Sequence, residues 1–341
     1  AGFPQDHALF AGHLPADRPR LRTALAPYDL VLVVGAPFLR QYPYGQGRLT
    51  EPGTRVAVIT DDPAEAHRAP ADLAVVTELA GFCDRLARRI PPRPSGAQVS
   101  GGRQAPAPAS TTAPEPGSAP ASVTNAASVT NSGSPQGIAS PQSPAAEPDL
   151  LAPPAPGQPL RAAHVLAALA SRLPAETVIV EETPSSRPDL HQLLPARRPL
   201  GFLSAAMGGL GFAMPAAIGV RMAQPERPVV AVVGDGSSLY QVQSLWTAAH
   251  YGVGVVFVVL ANGRYAVMDR LAEKQGGKPP WPAFEEVSVS GLAESLGCPA
   301  RRIARHADLL AALDELVPTL GSRSEPVVLE VAVVPDPEFH P

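Results

Sequence analysis

Apolar runs of four to seven residues recur along this chain, each closed by glycine, proline or acidic residues. In the first ninety residues they are Tyr28–Val34, ending at Gly35-Ala36-Pro37, then Thr54–Thr60, ending at Asp61-Asp62-Pro63, and Leu73–Val76. Continuous apolar runs of this length, rather than alternating ones, predict parallel strands buried on both faces. Helical periodicity falls at Arg20–Ala26 and Leu79–Ile90, and strands alternating with helices predict a small parallel-sheet domain. The pattern returns after residue 160. Helices are predicted at Leu160–Leu173, Phe212–Met222, Val287–Leu296 and Ala307–Leu320, and strands at Thr177–Val180, Val229–Val233, Val255–Leu260 and Pro326–Val334. That succession predicts a doubly wound α/β domain.

Between the two lies a stretch of different character. Residues 91–159 hold 16 prolines, many Ser, Ala, Gly and Thr, and no aromatic residue. Such a segment buries too little apolar surface to offset the entropy of ordering, which predicts a flexible linker. The expected organisation is therefore 1–90, a linker at 91–159, and 160–341.

Composition adds mainly exclusions. With 17% charged residues and a net charge of −4, the chain has no basic footprint for nucleic acid. Its two cysteines, Cys83 and Cys298, are isolated and fit no metal or disulfide spacing. No apolar run is long enough to span a bilayer, and no signal-peptide pattern opens the chain; the expected compartment is the cytoplasm. The start at Ala1-Gly2-Phe3-Pro4, without an initiator Met, reads as the interior of a longer protein. His7, His13 and His67 read as surface or loop residues. No GxGxxG follows the strand ending at Gly35, which weakens a nucleotide-binding regulatory reading of residues 1–90.

The chemistry concentrates in Val229–Asn262. The first strand of this stretch ends at Gly234-Asp235-Gly236, where glycine permits a tight turn and close approach to a ligand. Ser237 or Ser238 is expected to cap a helix running to about His250. A second strand then delivers Asn262. Strand, helix and strand form one crossover, so Asp235 and Asn262 leave the same C-terminal sheet edge, where open α/β sheets bind ligands. A carboxylate and an amide oxygen suit a hard cation such as Mg²⁺, and the helix N-terminus after Gly236 is expected to favour a phosphate.

Gly236 and Asn262 bracket 25 residues. A Gly-Asp-Gly followed at about this distance by Asn resembles the signature of thiamine diphosphate enzymes, with Ala261-Asn262 here in place of the usual Asn-Asn. Two blocks strengthen the likeness: GGLGFAMPAAIGV at 208–220 and the 229–265 span ending ANGRY. With GAPFLRQY at 35–42, their order resembles the C-terminal part of benzoylformate decarboxylase and its relatives, which remove CO₂ from 2-oxo acids.

The resemblance implies two cofactors, thiamine diphosphate and Mg²⁺. It gives Asp235, Asn262 and the backbone carbonyl of Arg264 as metal ligands, and Ser185, Gly236 and Ser237 as diphosphate contacts. Gly208 would offer its carbonyl to the aminopyrimidine and Leu210 would hold the cofactor bent, which makes these two the candidate catalytic residues. Met268 and Leu271 are expected to line the substrate side, with ordinary core packing as the alternative. Residues 160–341 resemble the family's diphosphate-binding domain and residues 1–90 the later part of its middle domain. The pyrimidine-binding domain and its activating glutamate have no counterpart, so the resemblance implies that domain as a partner in cis or in trans, within a homo-dimer or tetramer. Relatives of the benzoylformate type carry a His soon after the Gly-Ala-Pro strand end, where Gln41 and Tyr42 stand here. Carboligation of the acetolactate synthase kind therefore stays open beside decarboxylation, as does a non-catalytic remnant that only binds the cofactor.

Overall fold

The computed structural model describes residues 3–15, 17–38, 46–91, 152–155, 157–205 and 208–335. The expected linker lies almost wholly outside these residues, as do Gln41 and Tyr42. The chain divides into two compact units, one of His13–Gln142 and one joining Ala1–Gly12 to Ser143–Pro341.

In the smaller unit, helix α1 (Arg18–Leu25) precedes strand β1 (Leu30–Val34), followed by β2 (Arg55–Thr60), α2 (Pro63–Arg68), β3 (Leu73–Val76) and α3 (Leu79–Arg89). The strands form a three-stranded sheet in the order β1-β2-β3, every neighbour parallel. The Asp62 side chain caps α2 by accepting the Ala64 amide at 2.8 Å, with Pro63 at the first helical position, where its missing N–H costs nothing. Among described residues the core is small, built on Phe38, Val56 and Val58, while Leu30, Leu32 and Leu73 are exposed.

The larger unit runs α4 (Ala162–Ala170), β4 (Val178–Glu182), α5 (Arg187–Leu193), β5 (Phe202–Ser204), α6 (Ala213–Ala223), β6 (Val229–Gly234), α7 (Asp235–Ser238), α8 (Ser244–His250), β7 (Val256–Ala261), α9 (Ala266–Lys274), α10 (Val289–Ser295), β8 (Ala300–Ile303), α11 (His306–Leu316) and β9 (Val327–Ala332). Its sheet has six parallel strands in the order β5-β4-β6-β7-β9-β8. From β4 the chain moves to β5 on one side, then returns past β4 to β6 on the other. The crevice between β4 and β6 is thus a topological switch point, where doubly wound sheets bind ligands.

Alternation along each strand divides the core into two layers. Val230 and Val232 of β6 pack with Leu166, Leu190, Leu309 and Leu329 on one face. Val229, Ala231 and Val233 pack with Met214, Leu245 and Phe257 on the other. Arg221, buried on α6, donates to the carbonyls of Arg227 at 2.8 Å and of Gly321 and Arg323 at 2.9 Å. It thereby satisfies its own charge-bearing donors and fastens two loops at the sheet's N-terminal end. Gln5 is joined to Ala196 in both directions, each bond 2.7 Å, which ties the first residues to this unit.

One expected element is divided. The helix predicted from Ser237 to His250 is two pieces, α7 of four residues and α8 of seven, separated by a turn. Neither Ser237 nor Ser238 caps it. Ser238 Oγ instead donates to the Asp235 carbonyl at 2.6 Å, and Gln241 turns inward to serve α6. So short a first helix carries little macrodipole, and the anion-favouring terminus expected there is correspondingly slight.

Candidate cofactor site

Among the described residues of the larger unit, four acidic side chains are buried, each at or beside the end of a strand or within one: Glu181 and Glu182 on β4, Asp235 after β6, and Glu330 on β9. A buried carboxylate is tolerable only where donors converge on it. Glu181 accepts the Thr183 amide at 2.6 Å, the Ser204 hydroxyl at 2.7 Å and the Arg187 guanidinium at 3.0 Å. Glu330 accepts the amide and hydroxyl of Ser290 at 2.8 and 2.5 Å. These two brace the sheet against its helices.

Asp235 differs. Its Oδ1 accepts the Gly236 amide at 2.8 Å and its Oδ2 the Gly263 amide at 2.6 Å, and among the described residues its hydrogen-bond donors are backbone amides alone, whereas Glu181 and Glu330 each have a side-chain donor. Burial pushes its carboxyl above the ordinary 3.8, opposed by the amides of Gly263, Gly236 and Asn262 and reinforced by the charge of Glu330. A buried carboxyl held by backbone amides alone suits a cation as its counter-charge. Asn262 follows directly, its Oδ1 accepting the Arg264 amide at 3.1 Å. The oxygen donors thus fit a hard divalent ion. No group of three or more His, Cys, Asp or Glu side chains arranged for a metal occurs among the described residues.

Gly236 is a position where only glycine fits. A Cβ there would lie 2.6 Å from Tyr265 Cε1 and 3.1 Å from Phe284 Cζ. The two rings are in contact, centroids 4.9 Å apart, and the Phe284 amide donates to the Gly263 carbonyl at 2.8 Å. Burial, with Tyr240 and Asp235 nearby, raises the Tyr265 hydroxyl. Beyond them Asp269 joins α9 to the following loop, accepting Trp281 Nε1 at 2.8 Å and pairing with Arg264 at 3.0 Å.

The remaining expected positions fall on three neighbouring connections. Ser185, after β4, accepts the Val267 amide at 3.1 Å, which draws the start of α9 towards the β4 end. Ser237 is buried in α7. Gly208 and Gly211 adopt φ values of +68° and +94°, left-handed conformations open to glycine, and they flank Leu210, which is 39% exposed. Met268 and Leu271 lie on α9 rather than in a loop and are also exposed, at 42% and 39%, so core packing does not account for them. Two residues that the sequence reading did not single out, Glu182 and Gln241, join these connections to one another.

Residues 185–331 match the family model of the thiamine pyrophosphate enzymes' C-terminal TPP-binding domain. The chain carries the C-terminal domain of the thiamine pyrophosphate enzymes. It is 30% identical over 334 residues to benzoylformate decarboxylase of Pseudomonas aeruginosa, covering 96% of this chain and 53% of that protein. The acetolactate synthase large subunit of Parasynechococcus marenigrum is 35% identical over 143 residues, which is 38% of this chain and 23% of that one. Among solved structures, the thiamine diphosphate-dependent 4-hydroxybenzoylformate decarboxylase of Rhodococcus jostii superposes with a TM-score of 0.75 at 27% identity, over 98% of this chain and 54% of that one. The chain therefore spans about half the length of the relatives that it matches along most of its own length. The expected pair of parallel-sheet α/β domains agrees with these likenesses.

Proposed function

We propose that this protein is a thiamine pyrophosphate enzyme that catalyses the non-oxidative decarboxylation of a 2-oxo acid of the benzoylformate class, with thiamine diphosphate and Mg²⁺. The observation that carries the reading is the buried Asp235 at the switch point, held by backbone amides alone and joined through Gly263 to the turn that presents Asn262. The similarity to benzoylformate decarboxylase along most of the chain supports the substrate class.

When bound, thiamine diphosphate supplies a thiazolium ring that takes up the electron pair released as CO₂ leaves. The chain's own groups hold and orient it. Asp235, the Asn262 side chain and the Arg264 carbonyl would ligate Mg²⁺, with Ser185, Gly236 and Ser237 at the diphosphate. Gly208 would orient the aminopyrimidine through its carbonyl. Leu210 would give the apolar surface that keeps the cofactor bent, and Met268 and Leu271 would shield the substrate from water.

The pyrimidine-binding half of the site comes from a domain acting in cis or in trans, within a homo-dimer or tetramer in the cytoplasm. Carboligation of the acetolactate synthase kind is the second reading, favoured by the higher local identity to that large subunit.

Calorimetric titration of the chain with thiamine diphosphate, with and without Mg²⁺, tests the cofactor assignment. Saturable binding that requires Mg²⁺ is expected. Absence of binding even with a homologous pyrimidine-binding domain added would overturn the assignment and leave the remnant reading. Turnover of benzoylformate against pyruvate in that reconstituted mixture then separates decarboxylation of an aromatic 2-oxo acid from carboligation.

A further inference from the structure

Glu182 is the last residue of β4 and is 1% exposed, and its carboxylate is met by backbone amides and one carboxamide. Its Oε1 accepts the Gly211 amide at 2.9 Å and its Oε2 the amides of Phe212 and Ala213, both at 2.8 Å. A fourth donor is Gln241 Nε2, at 3.0 Å from Oε1. The Gln241 carboxamide is itself fully engaged. Its Oε1 accepts the Met214 amide at 2.9 Å, and its Nε2 also reaches the Ser237 carbonyl at 3.4 Å. Helix α6 has no cap of its own, since Phe212 at its start offers no polar side chain. Its first amides are instead served by side chains from two other connections.

A local cap would have served α6 as well, so the arrangement asks for another explanation. Gly211 and Gly208 are the left-handed residues flanking Leu210, and the direction of that loop depends on where the Gly211 N–H is held. The bond chain Ser237–Gln241–Glu182–Gly211 links the turn beside Asp235 to the loop bearing Gly208 and Leu210. It crosses the mouth of the β4/β6 crevice with buried, mutually satisfied groups, which rigidify a site when complete.

We propose that Glu182 and Gln241 are positioning residues that hold the Gly208–Gly211 loop in fixed relation to the Asp235 turn, so that the diphosphate end and the ring end of the cofactor are gripped together. The proposal rests on the cofactor-site reading above.

The test compares wild type with Gln241→Met, which keeps the side chain's length but loses its three bonds, and with Glu182→Gln. Leu313→Ala, in the opposite core layer, is a control for general destabilisation. Amide hydrogen exchange, which needs no cofactor, is expected to quicken roughly tenfold or more at Gly211 and Phe212 in Gln241→Met but not in Leu313→Ala. Unchanged exchange at Gly211 would overturn the coupling whether or not the cofactor binds. In titrations with thiamine diphosphate and Mg²⁺, both positioning variants are expected to bind roughly tenfold more weakly while still folded. Binding as tight as wild type, or an equal loss in Leu313→Ala, would overturn the positioning role. Failure of the wild type to bind even with a homologous pyrimidine-binding domain added would overturn the cofactor reading, and the exchange result would stand apart from it.

Discussion

The carboxylate of Asp235 accepts the Gly263 amide at 2.6 Å, so one buried side chain joins the ends of two neighbouring strands. The same bond keeps the Asn262 turn beside the carboxylate.

The protonation of Asp235 gives a pH dependence of definite sign. Burial raises its carboxyl above 3.8, so over a window opening near that value the folded chain retains a proton that the unfolded chain has lost. Stability of the cofactor-free protein therefore falls as pH rises through the window and is level above it. Asp235→Asn should remove that slope, read as urea midpoints between about pH 3.5 and 7. A divalent ion favours the charged form, so Mg²⁺-dependent cofactor affinity should rise with pH across the same window in wild type and be absent in the variant.

Gly236→Ala sets a methyl group against the Tyr265 ring. Overpacking of this kind is expected to cost about 1–3 kcal/mol. Because the Tyr265 ring is the nearer of the two rings the methyl would meet, at 2.6 Å against 3.1 Å for Phe284, Tyr265→Ala in the same chain should recover part of the loss. A double-variant cycle by chemical denaturation measures the recovery, and strict additivity would count against the contact.

The cysteines should differ sharply in reactivity. Burial pushes the Cys298 thiol up to about 12, whereas Cys83 is exposed on α3. Thiolates are the reactive form, so an aromatic disulfide reagent should consume one thiol in the native chain and two in denaturant. Two thiols reacting at equal rates in the native chain would contradict the packing around Cys298.

Phe257 is the second residue of β7 and has no exposed surface. Phe257→Ala should cost about 3–5 kcal/mol, seen as a lower denaturation midpoint. Since Phe257 packs in the layer formed with Met214 and Leu245, the loss should be global rather than confined to the cofactor site.

The sequence made the central strands legible because a parallel strand buried on both faces must be apolar throughout. Val229–Gly234 and Val256–Ala261 fall within a residue of their predicted spans for that reason. The edge strands were not. Ala300–Ile303 carries two exposed arginines and Phe202–Ser204 is only three residues long, so neither makes an apolar run. Helix α9 was missed because its Ala-Val-Met-Asp-Arg pattern follows directly on the turn at Gly263 and leaves Met268 and Leu271 exposed.

At the site, Asp235 and Asn262 stood out by their spacing. Glu182 carried a weaker signal, as a second acidic residue ending a strand that must be buried, which obliges it to find donors. Gln241 carried none. Its role depends on the break between α7 and α8, and that break is a tertiary effect with no local marker.

The all-parallel sheet order has a consequence for how the protein comes into being. No hairpin can seed a sheet in which each strand pairs only with parallel neighbours, and Val178 pairs with Val229, about fifty residues further along. Forming the crevice between β4 and β6 requires that excursion to close, which is slow relative to local structure. During synthesis the crevice cannot assemble until β6 has left the ribosome, and Asn262 arrives later still. The cofactor therefore meets a nearly finished domain, and by mass action it traps those molecules in which the last strands have docked.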